Sequence, residues 1–152
     1  MIRIVLSTIL VALVSAGAVC ETPLRVMTFN LRYGLANDGE NAWPKRCGLV
    51  VDVIEKYAPD IFGVQECMLF QANYLETHLE RYHWLGMDRD ATGKGESTAV
   101  FYRTDVFAPV AYGNFWLSET PDVPASKSWD SSLTRMATWV RFYNMQSKTF
   151  FH

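Results

Sequence analysis

Two strand patterns, each followed by a helical pattern and each ending at a polar side chain, set the tightest limit on how this chain folds. Leu24-Arg25-Val26-Met27-Thr28-Phe29-Asn30 alternates with period two and predicts a strand with one buried face that ends near Asn30. Ile61-Phe62-Gly63-Val64-Gln65, entered from the Pro59-Asp60 turn, is a short apolar run, the pattern of a strand covered on both faces. Glu66 follows at its carboxyl end. Between the two strands, Gly34, Asn37, Asp38, Gly39 and Asn41 mark a loop. Pro44 then suits a first helical turn, and Cys47, Val50, Val51, Ile54 and Tyr57 recur at helical spacing up to Pro59. Leu69, Tyr74, Leu75, Leu79 and Tyr82 predict a second helix. Alternation of this kind argues for an α/β fold in which helices layer on a sheet.

Beyond His83 the pattern changes: residues 97–103, 106–116 and 136–143 read as strands, and 88–96 and 117–133 as loops rich in Gly, Asp, Ser and Pro. No internal repeat is present. With 49% hydrophobic and 20% charged residues the chain is neither disordered nor fibrous.

Residues 1–20 stand apart. Arg3 precedes an apolar run over residues 4–14, and Ser15, Ala16, Gly17 and Ala18 supply the small residues of a cleavage site, which together predict a secretory signal peptide. The run is shorter than the ~20 residues a membrane-crossing helix needs, so no membrane span is expected after cleavage at Ala18 or Cys20. Val19 fits a lipid-modified Cys20 poorly. The mature product is expected to be secreted or periplasmic. Removing this segment moves the formal charge from −2 to −3, and no run of Lys or Arg follows. Charge alone therefore disfavours nucleic acid, whose backbone is bound by clustered cations. Cys47 and Cys67 have no neighbouring His at metal-ligand spacing, which leaves no zinc motif.

Asn30 and Glu66 end the first two predicted strands, where open α/β sheets bind ligands. An amide oxygen and a carboxylate are hard donors suited to Mg²⁺, which takes one or two carboxylates and completes its shell with water and phosphate oxygens. Spacing alone does not separate this reading from a turn cap and a solvated acid.

The segments LRVMTFNLRYG, PDIFGVQE, STAVFYR and SWDSSLTRMATWVRF resemble successive motifs of the endonuclease/exonuclease/phosphatase superfamily, which includes pancreatic deoxyribonuclease, sphingomyelinases, inositol phosphatases and deadenylases. The resemblance runs from Leu24 to the last residue. The loop DGENAWPKR is similar to that of a group of bacterial exported members. The fold implied is part of a four-layer α/β sandwich, two packed mixed or antiparallel sheets flanked by helices, with residues 21–152 forming a partial domain whose C-terminal half is missing.

The resemblance implies a metal-dependent hydrolase of phosphoester or phosphodiester bonds. Glu66 and Asn30 would form the catalytic metal site, Glu66 as ligand and Asn30 as the second polar group that orients the shell or a phosphate oxygen. Arg135 would contact substrate phosphate. Mg²⁺ is the implied ion, with Mn²⁺ as a substitute. Members of the superfamily also carry, in the half that follows these motifs, a Thr-His-Leu strand, an Asp-x-Asn pair and a Ser-Asp-His motif; neither of the last two occurs here, and Thr77-His78-Leu79 falls in the predicted second helix instead of such a strand. His152 precedes the place of the catalytic histidine. The expectation is therefore a truncated form without turnover of its own. Expected substrates are a phosphorylated small molecule, a phospholipid head group or nucleic acid, with no stable protein partner. The alternatives are an exported, non-catalytic binder of a phosphorylated sugar or lipid, and a nuclease or deadenylase-like enzyme. Asp60 reads as a turn cap, Asp38 and Glu40 as a solvated turn, His78 and His83 as surface histidines, and Tyr102, Trp129 and Trp139 as core or rim aromatics.

Overall fold

The computed structural model describes residues 23–152; the candidate signal peptide, with Cys20, lies outside the described residues. Strand β1 (Val26–Asn30) pairs in parallel with β2 (Ile61–Gln65), in a register that runs from Val26 opposite Ile61 to Asn30 opposite Gln65. Asn30 and the residue before Glu66 thus end side by side. The parallel pairing is possible because α1 (Trp43–Tyr57) carries the chain back between the strands. Pro44 sits in its first turn, and Ala58 closes it in a left-handed conformation before Pro59.

Helix α2 (Leu69–His78) follows, then β3 (Tyr82–Leu85) and β4 (Val100–Arg103), which complete a four-stranded sheet in the order β1-β2-β4-β3. The second helix is shorter than its periodicity predicts, and β3 was not anticipated. Leu79 and Tyr82 do keep helical spacing, but the helix stops at His78 and Tyr82 opens a strand. There its hydroxyl donates to Pro59 O at 2.6 Å and its ring meets the edge of Phe62. A three-residue spacing survives such a break, so periodicity could not show it.

Both helices pack on one face of this sheet, where Phe62, Val64 and Phe101 join Val50, Ile54, Ala72 and Leu75 in a buried core with Leu31. The opposite face, through Ile61 and Tyr102, packs against a second sheet of β5 (Phe107–Trp116), β6 (Met136–Asn144) and the unanticipated short β7 (Thr149–Phe151), by way of Phe107, Val140 and Phe142. The described residues therefore form three layers, helices on a mixed sheet on an antiparallel sheet. The outer face of the second sheet carries no helix among the described residues, and Phe115, Trp139 and Phe150 are exposed. No helix among them is long and apolar enough to cross a membrane.

Asp60 does more than cap a turn. Its carboxylate accepts from Arg25 N at 2.8 Å and from Arg103 Nη1 at 3.1 Å, tying β1, β2 and β4 together at the end of the sheet remote from Glu66. That leaves the opposite end of the strands to the site.

The two described cysteines are unpaired, Cys47 half-buried and Cys67 fully buried. Burial pushes the Cys67 thiol up to about 12, which leaves almost no thiolate near neutral pH. At pH 8 a thiol reagent is therefore expected to modify Cys47 in the folded chain and to reach Cys67 only on unfolding. Peptide mapping by mass spectrometry separates the two, and an early adduct on Cys67 would contradict the packing.

Candidate metal and phosphate site

Glu66 leaves β2 with φ 53° and Arg32 leaves β1 with φ 62°, both in the left-handed region. For residues with a Cβ this conformation costs on the order of 1–3 kcal/mol and persists only where the surroundings impose it. The backward turn carries the Glu66 carboxylate across to β1. Asn30 Nδ2 donates to Oε1 at 3.0 Å, and the backbone N–H of Tyr33 donates to Oε2 at 3.0 Å.

The orientation of Asn30 follows from its other bond, in which Oδ1 accepts from Arg32 N at 2.8 Å. A backbone N–H can only donate, so the amide oxygen faces Arg32 and the NH₂ faces Glu66. This geometry suits Asn30 to orienting the carboxylate, with its own oxygen already engaged. The Asn30 hydrogen bond, reinforced by Tyr33 N–H and by the charges of Arg32 and Arg89, outweighs burial and holds Glu66 below its ordinary carboxylate value. Glu66 is accordingly ionised at neutral pH.

The loop behind Glu66 is fixed from both helices. Arg46 Nη2, on α1, donates to Leu31 O at 2.6 Å, and Gln71 Nε2, fully buried on α2, donates to Arg32 O at 3.2 Å. Gly34 passes so close to α2 that a Cβ there would lie 2.6 Å from both Gln71 and Phe70. Asp38 is not merely solvated, because its two oxygens accept the fork of Arg32 at 3.1 Å each. Glu40 pairs with Lys45 on the open surface.

Loop 88–96 lies against the same strand end. Ser97 N donates to Cys67 O at 2.8 Å, next to Glu66, and Arg89 Nη1 meets Glu96 Oε2 at 2.7 Å. The loop also reaches the second sheet, since Trp116 Nε1 donates to Arg89 O and Thr134 Oγ1 donates to Asp90 Oδ1, both at 2.6 Å. Arg135, the residue after Thr134, has an exposed side chain with no carboxylate at ion-pair distance among the described residues. The structure thus brings Asn30 and Glu66 into contact, whereas for Arg135 it shows only that the preceding residue, Thr134, bonds the loop lying against their strand end.

Sequence reasoning overlooked Arg32, Arg46, Gln71 and Arg89, and considered Glu96 only as a carboxylate partner of Glu66 in a glycosidase reading that no motif supports. The charges in DGENAWPKR and DRDATGKGE were visible as loop composition, but nothing in their spacing says which side chains turn inward. Tyr102 is buried as expected, while Trp129 is 67% exposed and Trp139 lies over Gly113 on the outer face. His78 and His83 are on the surface away from Glu66, the latter paired with Glu76.

Among the described residues no group of three or more His, Cys, Asp or Glu converges. What Glu66 offers is a single ionised carboxylate whose oxygens each accept one hydrogen bond and keep capacity for more. Such a donor set fits a hard ion that retains water and takes phosphate oxygens, and it does not fit zinc.

Residues 27–145 match the sequence model of the Endonuclease/Exonuclease/phosphatase family. A crystal structure of an endonuclease/exonuclease/phosphatase family protein from Bacteroides thetaiotaomicron is 40% identical, with TM-score 0.80 over 84% of this chain and 47% of that one. A mannosyl-6-phosphatase from the same organism is also 40% identical, with TM-score 0.80 over 85% of this chain and 49% of that one. The human Nocturnin catalytic domain with a bound sulfate anion, 21% identical, shares the fold with TM-score 0.64 over 85% of this chain and 47% of that one. No curated protein matches the sequence. The chain spans about half the length of the solved structures it matches.

Proposed function

The chain belongs to the endonuclease/exonuclease/phosphatase family, and from that premise we propose that it is the metal-holding part of an exported, Mg²⁺-dependent phosphoester hydrolase acting on a phosphorylated sugar. The observation that carries the reading is the Glu66 carboxylate, ionised and held from both oxygens at the tip of β2. The sugar follows from the likeness to a mannosyl-6-phosphatase, and the acidic net charge argues against a nucleic-acid backbone. Export rests on residues 1–20.

Bound at Glu66, Mg²⁺ would supply a Lewis acid for a phosphoryl oxygen. The residues of this chain do the rest of what is proposed. Asn30 and Tyr33 N–H fix the carboxylate in one orientation, so that little reordering is needed when a ligand arrives. Arg135, exposed and without an acid at ion-pair distance among the described residues, contacts the phosphate. The groups that activate water belong, on this reading, to the part of the fold that the solved relatives have and these residues do not.

Metal binding is therefore the direct readout. Calorimetric titration of the full chain with Mg²⁺ is expected to show one site, and Asn30→Ala should weaken it about 10- to 100-fold, the usual cost of losing a group that orients a ligand. Phosphate release from sugar phosphates, where detectable, should stop with a chelator. A chain that binds no Mg²⁺, or hydrolysis that survives chelation, would overturn the proposal.

A further inference from the structure

Among the described residues Arg89 is the one whose side chain holds a buried N–H without a partner, and its charge acts on Glu66. Its backbone is pinned on both sides, the N–H donating to Glu96 O at 2.9 Å and the carbonyl accepting from Trp116 Nε1. The loop it stands on is bonded through Ser97 to Cys67, the residue after Glu66. A guanidinium has five N–H donors. Glu96 Oε2 takes Nη1 at 2.7 Å, but Nε is sealed from water without an acceptor, and Asp90 Oδ2 stands off at 4.0 Å.

Burying a cation with so few partners is costly unless a further anion completes it. The side chain keeps 19% of its surface open, and of its nitrogens only Nε is both sealed and unpartnered. Glu66 does not fill the gap: it feels the charge of Arg89, but among the described residues none of its oxygens stands at ion-pair distance from the guanidinium. An incoming anion would therefore meet the terminal nitrogens of the fork, since Nε itself is sealed.

We infer that Arg89 is a second anion-contacting residue of this site, that its guanidinium takes terminal phosphoryl oxygens, and that it selects phosphomonoesters over phosphodiesters; the inference deepens the reading above and rests on it. The planar fork of an arginine matches paired terminal oxygens. A monoester dianion offers three such oxygens and about two charges, whereas a diester offers two oxygens and one charge. An additional fixed cation therefore favours the monoester. Glu96 holds the fork in place, and Asp90 joins the same loop to Thr134 and so to the strand that begins beside Arg135.

The test uses the full chain with chelator present, so that its outcome does not depend on Mg²⁺. Inorganic phosphate at pH 8 stands for the monoester and dimethyl phosphate for the diester, each titrated calorimetrically. The unmodified chain is expected to bind phosphate more tightly than dimethyl phosphate. Arg89→Gln should lower phosphate affinity about tenfold or more, as expected for a lost charge-assisted bond, with a smaller effect on dimethyl phosphate. Arg89→Lys should retain part of the phosphate affinity.

No phosphate binding by the unmodified chain, unchanged affinity in Arg89→Gln, or equal loss for both probes would each overturn the inference. Should Arg89→Gln fail to fold by circular dichroism, Arg89→Lys decides, and an affinity equal to the unmodified chain counts against Arg89. A parallel Mg²⁺ titration reports on the metal reading alone. Loss of Mg²⁺ binding with phosphate discrimination intact, or the reverse, tells the two apart.

Discussion

Replacing Glu66 by glutamine is expected to weaken Mg²⁺ binding by more than about a hundredfold while leaving the chain folded. Removing a residue that merely orients a metal ligand costs about 10- to 100-fold, so removing the charged ligand itself should exceed that. Glutamine is nearly the same size, but it carries no charge, and its NH₂ would face a donor, either Asn30 Nδ2 or the Tyr33 N–H, that now meets an acceptor at 3.0 Å. Aspartate is the informative companion. It keeps the charge, yet one methylene less draws the carboxylate away from both donors, so its affinity should fall between the two. Calorimetry and a thermal melt of each variant provide the measurement, and Glu66→Gln binding within tenfold of the unmodified chain would remove the carboxylate from the centre of the proposal.

Phe101→Ala is expected to be the most damaging single change to the fold. Phe101 is fully buried on the face of the first sheet that meets the helices, stacked on Phe62 at 4.6 Å with rings 5° from parallel. Emptying such a position costs about 3–5 kcal/mol, against a total stability of about 5–15 kcal/mol for ordinary domains. With the outer face of the second sheet bare among the described residues, the margin should lie toward the lower end. Urea denaturation should therefore show a midpoint near zero denaturant. Val26→Ala is the control, since Val26 is 67% exposed on β1 and its loss should move stability by no more than about 0.5 kcal/mol. A loss below about 1.5 kcal/mol for Phe101→Ala would show that these layers are not packed as described.

The period-two run to Asn30 and the apolar run to Gln65 located β1 and β2 within a residue or two, because hydrophobic alternation reports directly on which faces are buried. The same signal placed α1 between Pro44 and Pro59, where the chemistry of proline marks both ends. It failed at Tyr82, whose spacing from Leu79 suits a helix but whose ring and hydroxyl are held by contacts distant in sequence. Residues 149–151 were too few to register as a strand. In the site, Asn30 and Glu66 were legible because each ends a strand. Arg32, Gln71 and Arg89 were not, since each is aimed by a tertiary bond, to Asp38, to the Arg32 carbonyl and to Glu96 respectively. Asp60 illustrates the same limit from the other direction. Its place before a strand suggested a local cap, and only the assembled sheet shows that it also grips Arg103.

The backward turns at Arg32 and Glu66 set two selective pressures against each other. Glycine would relax the main chain at either position and raise the melting temperature, yet at 66 it would delete the negative charge on which the proposed metal binding depends. A lineage released from catalysis should thus drift toward glycine or asparagine there, and one still under selection should keep the more strained residue. Retained strain at that corner is a molecular record of use.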